Sequence, residues 1–147
     1  IGLILILIFY LLYKKFANSE KEELPKIKIT KTIPAHITAL ENLAKTEKKE
    51  LWQKNKVKEY HSEISEIIRK YIEARFNCLA LEATTQEILE EVKNRISNEN
   101  YIVLSNILSI ADLAKFAKSK PNDNENVESM ASAKKFVNQT KLEEENE

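Results

Sequence analysis

Residues 57–76, VKEYHSEISEIIRKYIEARF, carry the strongest helical periodicity in the chain. In a helix that turns by about 100° per residue, the apolar side chains of this stretch fall on one broad face. That face consists of Val57, Tyr60, Ile64, Ile67, Ile68, Tyr71, Ile72 and Phe76. Most charged residues of the stretch lie outside it. The pattern therefore predicts one long amphipathic helix that buries its apolar face against other elements.

A shorter helix is predicted before this long one. Pro34 suits its first turn, because the ring of proline fixes a helical φ and the missing N–H would have no partner there. Apolar residues then recur at helical spacing, at Ile37, Leu40, Leu43 and Ala44. Leu51 and Trp52 either extend this apolar side or form a separate turn.

Three further helices are predicted after the long one. Thr84 and Glu87 have the spacing of a capping box, which places a helix start at TTQEILEEV. Ser97 or Asn98 can cap NYIVLSNILSIADLAKFAK, which is apolar over more than half of its circumference and is therefore expected in the middle of the bundle. SKPNDNEN has the composition of a loop, and VESMASAKKFVNQT predicts a last helix that buries Met130, Ala133, Val137 and Phe136.

The predicted fold class is all-α, an antiparallel bundle of about five helices that follows the C-terminal part of a transmembrane helix. Residues 1–13 are apolar and span about 20 Å as a helix, less than a bilayer, so we expect a fragment of a longer span. Residues 14–33 predict a charged juxtamembrane linker, residues 34–141 a cytoplasmic helical domain and residues 142–147 an acidic tail.

The orientation follows from the lysines after the apolar run. Lys14 and Lys15 come directly after residues 1–13, and lysines beside a span favour the cytoplasmic side. A signal peptide fits less well, because its basic residues should precede the apolar run. A buried soluble helix is a further alternative, although nothing polar interrupts the run. We therefore expect a single-pass protein of the inner (cytoplasmic) membrane, with residues 14–147 in the cytoplasm.

The composition excludes several classes of site. Among 147 residues there is one glycine, Gly2, so the glycine-rich loops that hold phosphates in P-loop and Rossmann proteins are excluded. One cysteine, Cys78, and two histidines give neither an internal disulfide nor a zinc cluster. The 23 basic and 23 acidic residues cancel, so no overall field attracts nucleic acid. No cofactor, metal or catalytic residue is predicted.

Three polar residues of the long helix need an explanation. Arg75 falls near the centre of the apolar face, where its stem can cover apolar neighbours while its head bonds the last carbonyls or a carboxylate such as Glu82, Glu87 or Asp112. Alternatively, Arg75 is presented to a partner. We expect His61 at the edge of the core, bonded to a backbone group. Arg69 is expected on a solvated face, in surface pairs with neighbouring glutamates. The candidate structural or docking residues are Trp52, His61, Arg69, Tyr71, Arg75, Phe76, Thr84, Glu87, Asp112, Lys115 and Phe116.

These elements resemble the membrane-proximal C-terminal region of BatD-like proteins, which belong to Bacteroides aerotolerance operons. The matching segments are Trp52, KEYHSEISEIIRKYIEARF, TTQEIL and LSIADLAKFAK, the last from Leu108 to Lys118. The resemblance implies a single-pass membrane protein that works with a MoxR-type AAA+ ATPase and with membrane proteins carrying von Willebrand factor A domains, in envelope integrity or stress tolerance. The predicted function is therefore that of a membrane-anchored, non-enzymatic interaction module, with neither a nucleic acid nor a small-molecule substrate expected.

Two other functions stay open. The linker lysines could bind anionic lipid or nucleic acid, although three glutamates in the same stretch weaken their field. These lysines are Lys14, Lys15, Lys26, Lys28 and Lys31. The third hypothesis is an enzyme built on His61 and Cys78, which is disfavoured because one lies on a helix and the other in a loop, without a defined geometry.

Overall fold

The computed structural model describes residues 33–142, and this part of the chain is all-helical. Its five helices are α1 (Ala35–Lys48), α2 (Val57–Phe76), α3 (Thr85–Val92), α4 (Asn98–Phe116) and α5 (Asp123–Thr140), with no strand among the described residues. The prediction of five helices is thereby confirmed. The predicted transmembrane segment, nearly all of the linker and most of the acidic tail lie outside the described residues. Within residues 33–142, none of the helices combines the length and the apolar character that crossing a bilayer requires.

Helix α2 organises the packing, since it contacts α1, α4 and α5. Its predicted bounds, Val57 and Phe76, are confirmed. Most of its predicted apolar face is buried, in Tyr60, Ile64, Ile68, Tyr71, Ile72 and Phe76, whereas Val57 and Ile67 are only partly covered. Each fully buried isoleucine contributes about 1.5–3 kcal/mol to folding. This face is therefore the largest single source of core stability in the helix.

Helix α4 is less central than its apolar composition predicts. It contacts α2, α3 and α5 and buries Leu104, Ile107 and Leu108. However, Leu113 is 52% exposed and Phe116 is 73% exposed. The neighbouring helices do not cover the remaining side of α4, which keeps apolar groups at the surface.

Side-chain caps set the starts of α3, α4 and α5, whereas α1 and α2 begin without a side-chain cap. The predicted capping box of α3 is confirmed, because the Thr84 N–H donates to Glu87 Oε2 at 2.7 Å and the Glu87 N–H donates to Thr84 Oγ1 at 3.3 Å. Ser97, rather than Asn98, caps α4 by accepting from a backbone N–H. A second capping box, Asn122 with Glu125, begins α5 four residues before the predicted start. Part of SKPNDNEN is thus helical, and its assignment to a loop was wrong there.

The connection between α1 and α2 shows that Leu51 and Trp52 form a separate turn and do not extend α1. Leu51 and Trp52 lie in a run of turns from residue 49 to residue 55, separate from α1, and both pack partly buried against the core.

Residues 33–142 contain no glycine, so non-glycine residues must take the left-handed conformation where the chain needs it. Four do so, with φ of 52° to 61°, at Glu50, Asn55, Asn77 and Lys118.

Glu50 is a costly choice for its backbone conformation. A residue with a Cβ atom loses about 1–2 kcal/mol of stability in the left-handed region, which glycine adopts without strain. Glycine also makes the unfolded chain more flexible, and this lowers the stability by up to about 1 kcal/mol. Glu50→Gly is therefore expected to raise the free energy of unfolding by about 0.5–1 kcal/mol. Urea denaturation measures this change. Lys48→Gly, two residues earlier and inside α1, is the matched control and should be destabilising by a similar amount. A Glu50→Gly chain that is less stable than wild type would show that the left-handed conformation of Glu50 carries no such cost.

Candidate functional site

Arg69 on α2 ties down the segment that connects α2 to α3. Its Nη1 donates to the carbonyl oxygens of Ala80 at 3.1 Å and Ala83 at 2.5 Å, and its Nη2 donates to Thr85 Oγ1 at 3.2 Å. Its Nε donates to Ser65 Oγ, one turn earlier on α2, at 3.3 Å. The guanidinium thus makes four hydrogen bonds from one planar group, an arrangement that lysine cannot reproduce.

The hydrogen bonds continue from Arg69 to a third helix. The Thr85 hydroxyl, which accepts from Arg69, donates its own proton to Asp112 Oδ2 at 2.6 Å. These hydrogen bonds form a continuous chain from Arg69 on α2 through Thr85 at the start of α3 to Asp112 on α4. The expectation that Arg69 lies on a solvated face was wrong. The reason is that residues 77–84 fold back over this side of α2, which a helical projection of α2 alone does not show.

An open groove lies beside these bonds, with a volume of about 600 Å³. We name it the Arg69 groove. It is bounded by α2, by the end of the α2–α3 connection with the first turn of α3, and by the last turns of α4. Its lining residues are Ser62, Ser65, Glu66, Arg69, Leu81, Glu82, Ala83, Thr84, Thr85, Ala111, Asp112, Lys115 and Phe116. Its polar lining includes the partly buried Arg69, Thr85 and Asp112, and the exposed Leu81 and Phe116 add apolar surface.

The structure brings five of the predicted site residues together here. Arg69, Thr84, Asp112, Lys115 and Phe116 all line the groove, although they come from three separate stretches of sequence. Arg69 and Asp112 are partly buried, whereas the other three are exposed. Ser65 and Thr85 also line the groove and are not among the residues predicted from the sequence.

Arg75 lies away from the groove, at the C-terminal ends of α2 and α5. Its Nε donates to the Thr140 carbonyl at 2.8 Å, and its guanidinium carbon lies 4.8 Å from the centre of the Phe76 ring. Among the described residues, Arg75 forms no ion pair with Glu82, Glu87 or Asp112, so the predicted carboxylate partner was wrong. Glu87 bonds within its own cap, and Asp112 accepts from Thr85. The last carbonyls of α5 lack helical partners and carry negative partial charge, so they attract the guanidinium instead.

Tyr71, Phe76 and Trp52 are packing residues in this structure. The buried Tyr71 hydroxyl lies 3.0 Å from Thr140 Oγ1, and burial raises the pKa of Tyr71. Phe76 is buried at the end of α2, with the guanidinium of Arg95 5.2 Å from its ring centre, on which a cation is favoured. These contacts fix the end of α2 against α5 and the segment after α3.

His61 is buried, with 1% of its surface exposed, and joins α2 to α5. Its Nε2 lies 2.8 Å from Asn126 Oδ1, so the partner is a side-chain amide and the predicted backbone partner was wrong. Asn126 Nδ2 donates to the Pro121 carbonyl at 3.3 Å, which turns Oδ1 towards the imidazole. The neutral imidazole of His61 therefore carries its hydrogen on Nε2, which donates to Asn126 Oδ1. Tyr60 adds a bond from its hydroxyl to the Asn126 carbonyl at 2.9 Å.

Burial favours the uncharged forms of both His61 and Cys78. Burial lowers the pKa of His61, and this effect outweighs the opposite influences of the Asn126 hydrogen bond and the Glu125 charge. Burial, aided by the Glu91 charge, raises the pKa of the Cys78 thiol. Since the thiolate is the nucleophile, Cys78 is held in its less reactive state. Residues 33–142 contain no group of three or more histidine, cysteine, aspartate or glutamate side chains that could hold a metal ion.

Comparison of the sequence with protein-family models and with curated proteins, and of the fold with solved structures, found no match. The resemblance to BatD-like proteins thus stays a prediction. The groove presents polar and charged side chains beside exposed apolar ones, a combination that suits the binding of a peptide segment or a protein surface.

Replacing Arg69 should destabilise the whole domain. Arg69→Met keeps an apolar stem but removes four hydrogen bonds and leaves the Ala80 and Ala83 carbonyls without their donor. We expect the free energy of unfolding to fall by about 2–3 kcal/mol, and Arg69→Lys to recover only part of it. Lys70→Met is the matched control, because Lys70 makes an exposed pair with Glu66 that is worth less than about 1 kcal/mol. Equal urea-unfolding curves for Arg69→Met and Lys70→Met would refute the structural role.

The His61 contact should make stability depend on pH. The pKa of His61 in the folded chain lies below the unfolded value of about 6.5. As the pH falls below neutrality, His61 is therefore protonated in the unfolded chain before it is protonated in the folded chain, and the folded state loses stability. The stability that depends on neutral His61 is fully present above about pH 6.5 and is lost as the pH falls towards the folded-state pKa. In this range the free energy of unfolding falls by at most about 1.4 kcal/mol per pH unit.

The measurement is thermal unfolding between neutral and mildly acidic pH. His61→Gln, which retains a donor for Asn126, should remove most of the slope. His36→Gln, the same change at a partly exposed position in α1, should leave it in place. A slope that survives His61→Gln would show that other groups cause it.

Proposed function

We propose that this chain is a membrane-anchored, non-enzymatic interaction module. In this proposal an antiparallel bundle follows a transmembrane helix, of which residues 1–13 are the C-terminal part, and residues 14–147 face the cytoplasm. The module is the cytoplasmic part of a BatD-like protein. It works with a MoxR-type AAA+ ATPase and with membrane proteins that carry von Willebrand factor A domains, in envelope integrity or stress tolerance.

The observation that supports docking most directly is the convergence on the Arg69 groove. The three helical segments that carry the BatD-like resemblance each contribute side chains to it: Arg69 from the first, Thr84 and Thr85 from the second, and Asp112 with Phe116 from the third. The packing of α4 on both α2 and α3 brings the three segments together at one open surface. A shared binding surface accounts for both their chemistry and their position.

The bonding state of the groove favours docking over catalysis. Arg69 uses four of its donors on the protein itself, and Asp112 accepts from Thr85. Groups held in this way give a fixed shape and a fixed pattern of charge, which are the properties that a docking surface needs. A general acid or base would instead have to exchange its proton with a substrate during the reaction.

Leu81 gives the sharpest test of docking at the groove. It is 42% exposed and lines the groove, whereas Leu79, two residues earlier in the same connection, is 71% exposed and lies outside it. Leu81→Arg should weaken binding of the tagged chain to the cognate MoxR-type ATPase about tenfold or more, as expected for a buried anchor of an interface. Leu79→Arg, which makes the same change in charge and size, should stay within about twofold.

The assay is co-purification with crosslinking, after circular dichroism has shown equal helix content for both variants. Loss of binding in both variants, or in neither, would count against the groove as the docking surface. If the folded wild-type chain does not enrich the ATPase, that partner is wrong.

A further inference from the structure

The end of α4 and the loop after it carry a basic and apolar patch, of which only Lys115 and Phe116 belong to the lining of the Arg69 groove. The patch comprises residues 113–120, LAKFAKSK, and we name it the basic tip. Leu113 and Phe116 are 52% and 73% exposed, and Lys115, Lys118 and Lys120 are all exposed. Two large apolar side chains and three cations thus share eight residues of sequence.

The lysines of the basic tip have no carboxylate partner among residues 33–142. Lys115 lies over the Phe116 ring instead, with Nζ 5.1 Å from its centre. The nearest acids in the sequence are engaged or placed elsewhere: Asp112 accepts from Thr85, and Asp123 lies in the first turn of α5, where the helix dipole favours a negative charge. The positive charge of the tip is therefore not cancelled within it.

The backbone holds this charge close to the helix end. Lys118 takes a left-handed conformation, with φ of 52°, and the Ser119 N–H donates to the Leu113 carbonyl at 3.2 Å. The loop is thereby folded back on the last turn of α4 instead of leading away from it. Such a conformation is unfavourable for lysine. It keeps Lys118 and Ser119 near the exposed apolar residues.

We propose that the basic tip contacts the anionic surface of a lipid bilayer, with Phe116 and Leu113 entering the interface and the three lysines meeting lipid phosphates. Lysine is depleted in protein–protein interfaces, and two apolar side chains are few for the roughly 800 Å² that each partner buries in a stable complex. Lysines beside an aromatic ring suit the membrane interface, where the long stems lie along apolar surface and the charges reach headgroups. The composition of the tip thus favours lipid over an acidic protein.

The contact is weak by itself and rests on the proposed membrane anchor. Each lysine near an anionic bilayer raises binding about fivefold, so three lysines alone do not hold a soluble domain on a membrane. An anchored chain meets the bilayer at an effective concentration in the millimolar range, which makes a weak contact effective. The tip would then orient the domain on the membrane, and salt would release it.

The experiment places a fluorophore on the tip of the full 147-residue chain. Ser119→Cys in a Cys78→Ser background is labelled with a dye whose emission rises in apolar surroundings. Vesicles consist of phosphatidylcholine, with or without phosphatidylglycerol. We expect emission to rise with the anionic vesicles only and to fall again with added salt. Glu41→Cys, at an exposed position on α1, is the control label and should not respond.

Two charge variants separate the tip from general electrostatics. Lys118→Gln combined with Lys120→Gln should weaken the response at Ser119→Cys about 25-fold, at fivefold per lysine. Lys45→Gln combined with Lys48→Gln removes the same charge from α1 and should change the response less than about twofold. All linker lysines remain in both, so their attraction to the vesicles is constant.

Other outcomes would overturn the proposal. An equal rise with neutral vesicles, no rise with either, or equal effects of the two lysine pairs would exclude an anionic-membrane contact at the tip. A rise caused by the ATPase and not by vesicles would make the tip a protein-docking surface. The lipid result is independent of ATPase co-purification, so failure of either proposal can be recognised separately.

Discussion

The position of α3 depends on the hydrogen bonds that Arg69 makes across the α2–α3 connection. A helix of eight residues is marginal by itself, because the cost of forming the first turn is barely recovered over such a length. Its stability comes from the capping box, from burial of Ile88, Leu89 and Val92, and from the guanidinium that holds the two carbonyls before it and the hydroxyl at its start. Since one wall of the groove is the start of α3, the hydrogen bonds of Arg69 also help to fix the shape of the groove.

The proposed docking surface and the basic tip meet at Phe116, so the two proposed contacts share this side chain. Phe116 forms part of the groove lining and also belongs to the basic tip at the end of α4. In the two proposals, Phe116 would contact either the bilayer or a partner in the groove, so the two contacts would compete for this side chain. A partner that binds the groove through Phe116 would therefore weaken the contact of the tip with the membrane.

Features that depend on one helix could be predicted from the sequence, and features that depend on a connection could not. The bounds and buried face of α2 follow from its own periodicity, and the start of α3 follows from two residues at fixed spacing. Arg69 was placed in solvent because two of its four acceptors are backbone carbonyls of a loop, which carry no sequence signal. Asn126 as the partner of His61 requires knowing how α5 packs on α2. The one missed signal that was readable is the pair Asn122 and Glu125, which has the spacing of a capping box inside a stretch with loop composition.

The acceptors that Arg69 uses have a consequence for how this protein can vary. Two of them are main-chain carbonyls, at Ala80 and Ala83, and every amino acid supplies such a group. Exposed positions of the α2–α3 connection, such as Leu79 and Leu81, can therefore be exchanged without loss of the contact, although the buried Ala80 has no room for a larger side chain. Insertion or deletion of one residue would move the carbonyls away from the guanidinium. In related chains, the length of this connection is thus expected to be more constrained than its composition, and new binding preferences can arise at the groove by substitutions in the loop alone.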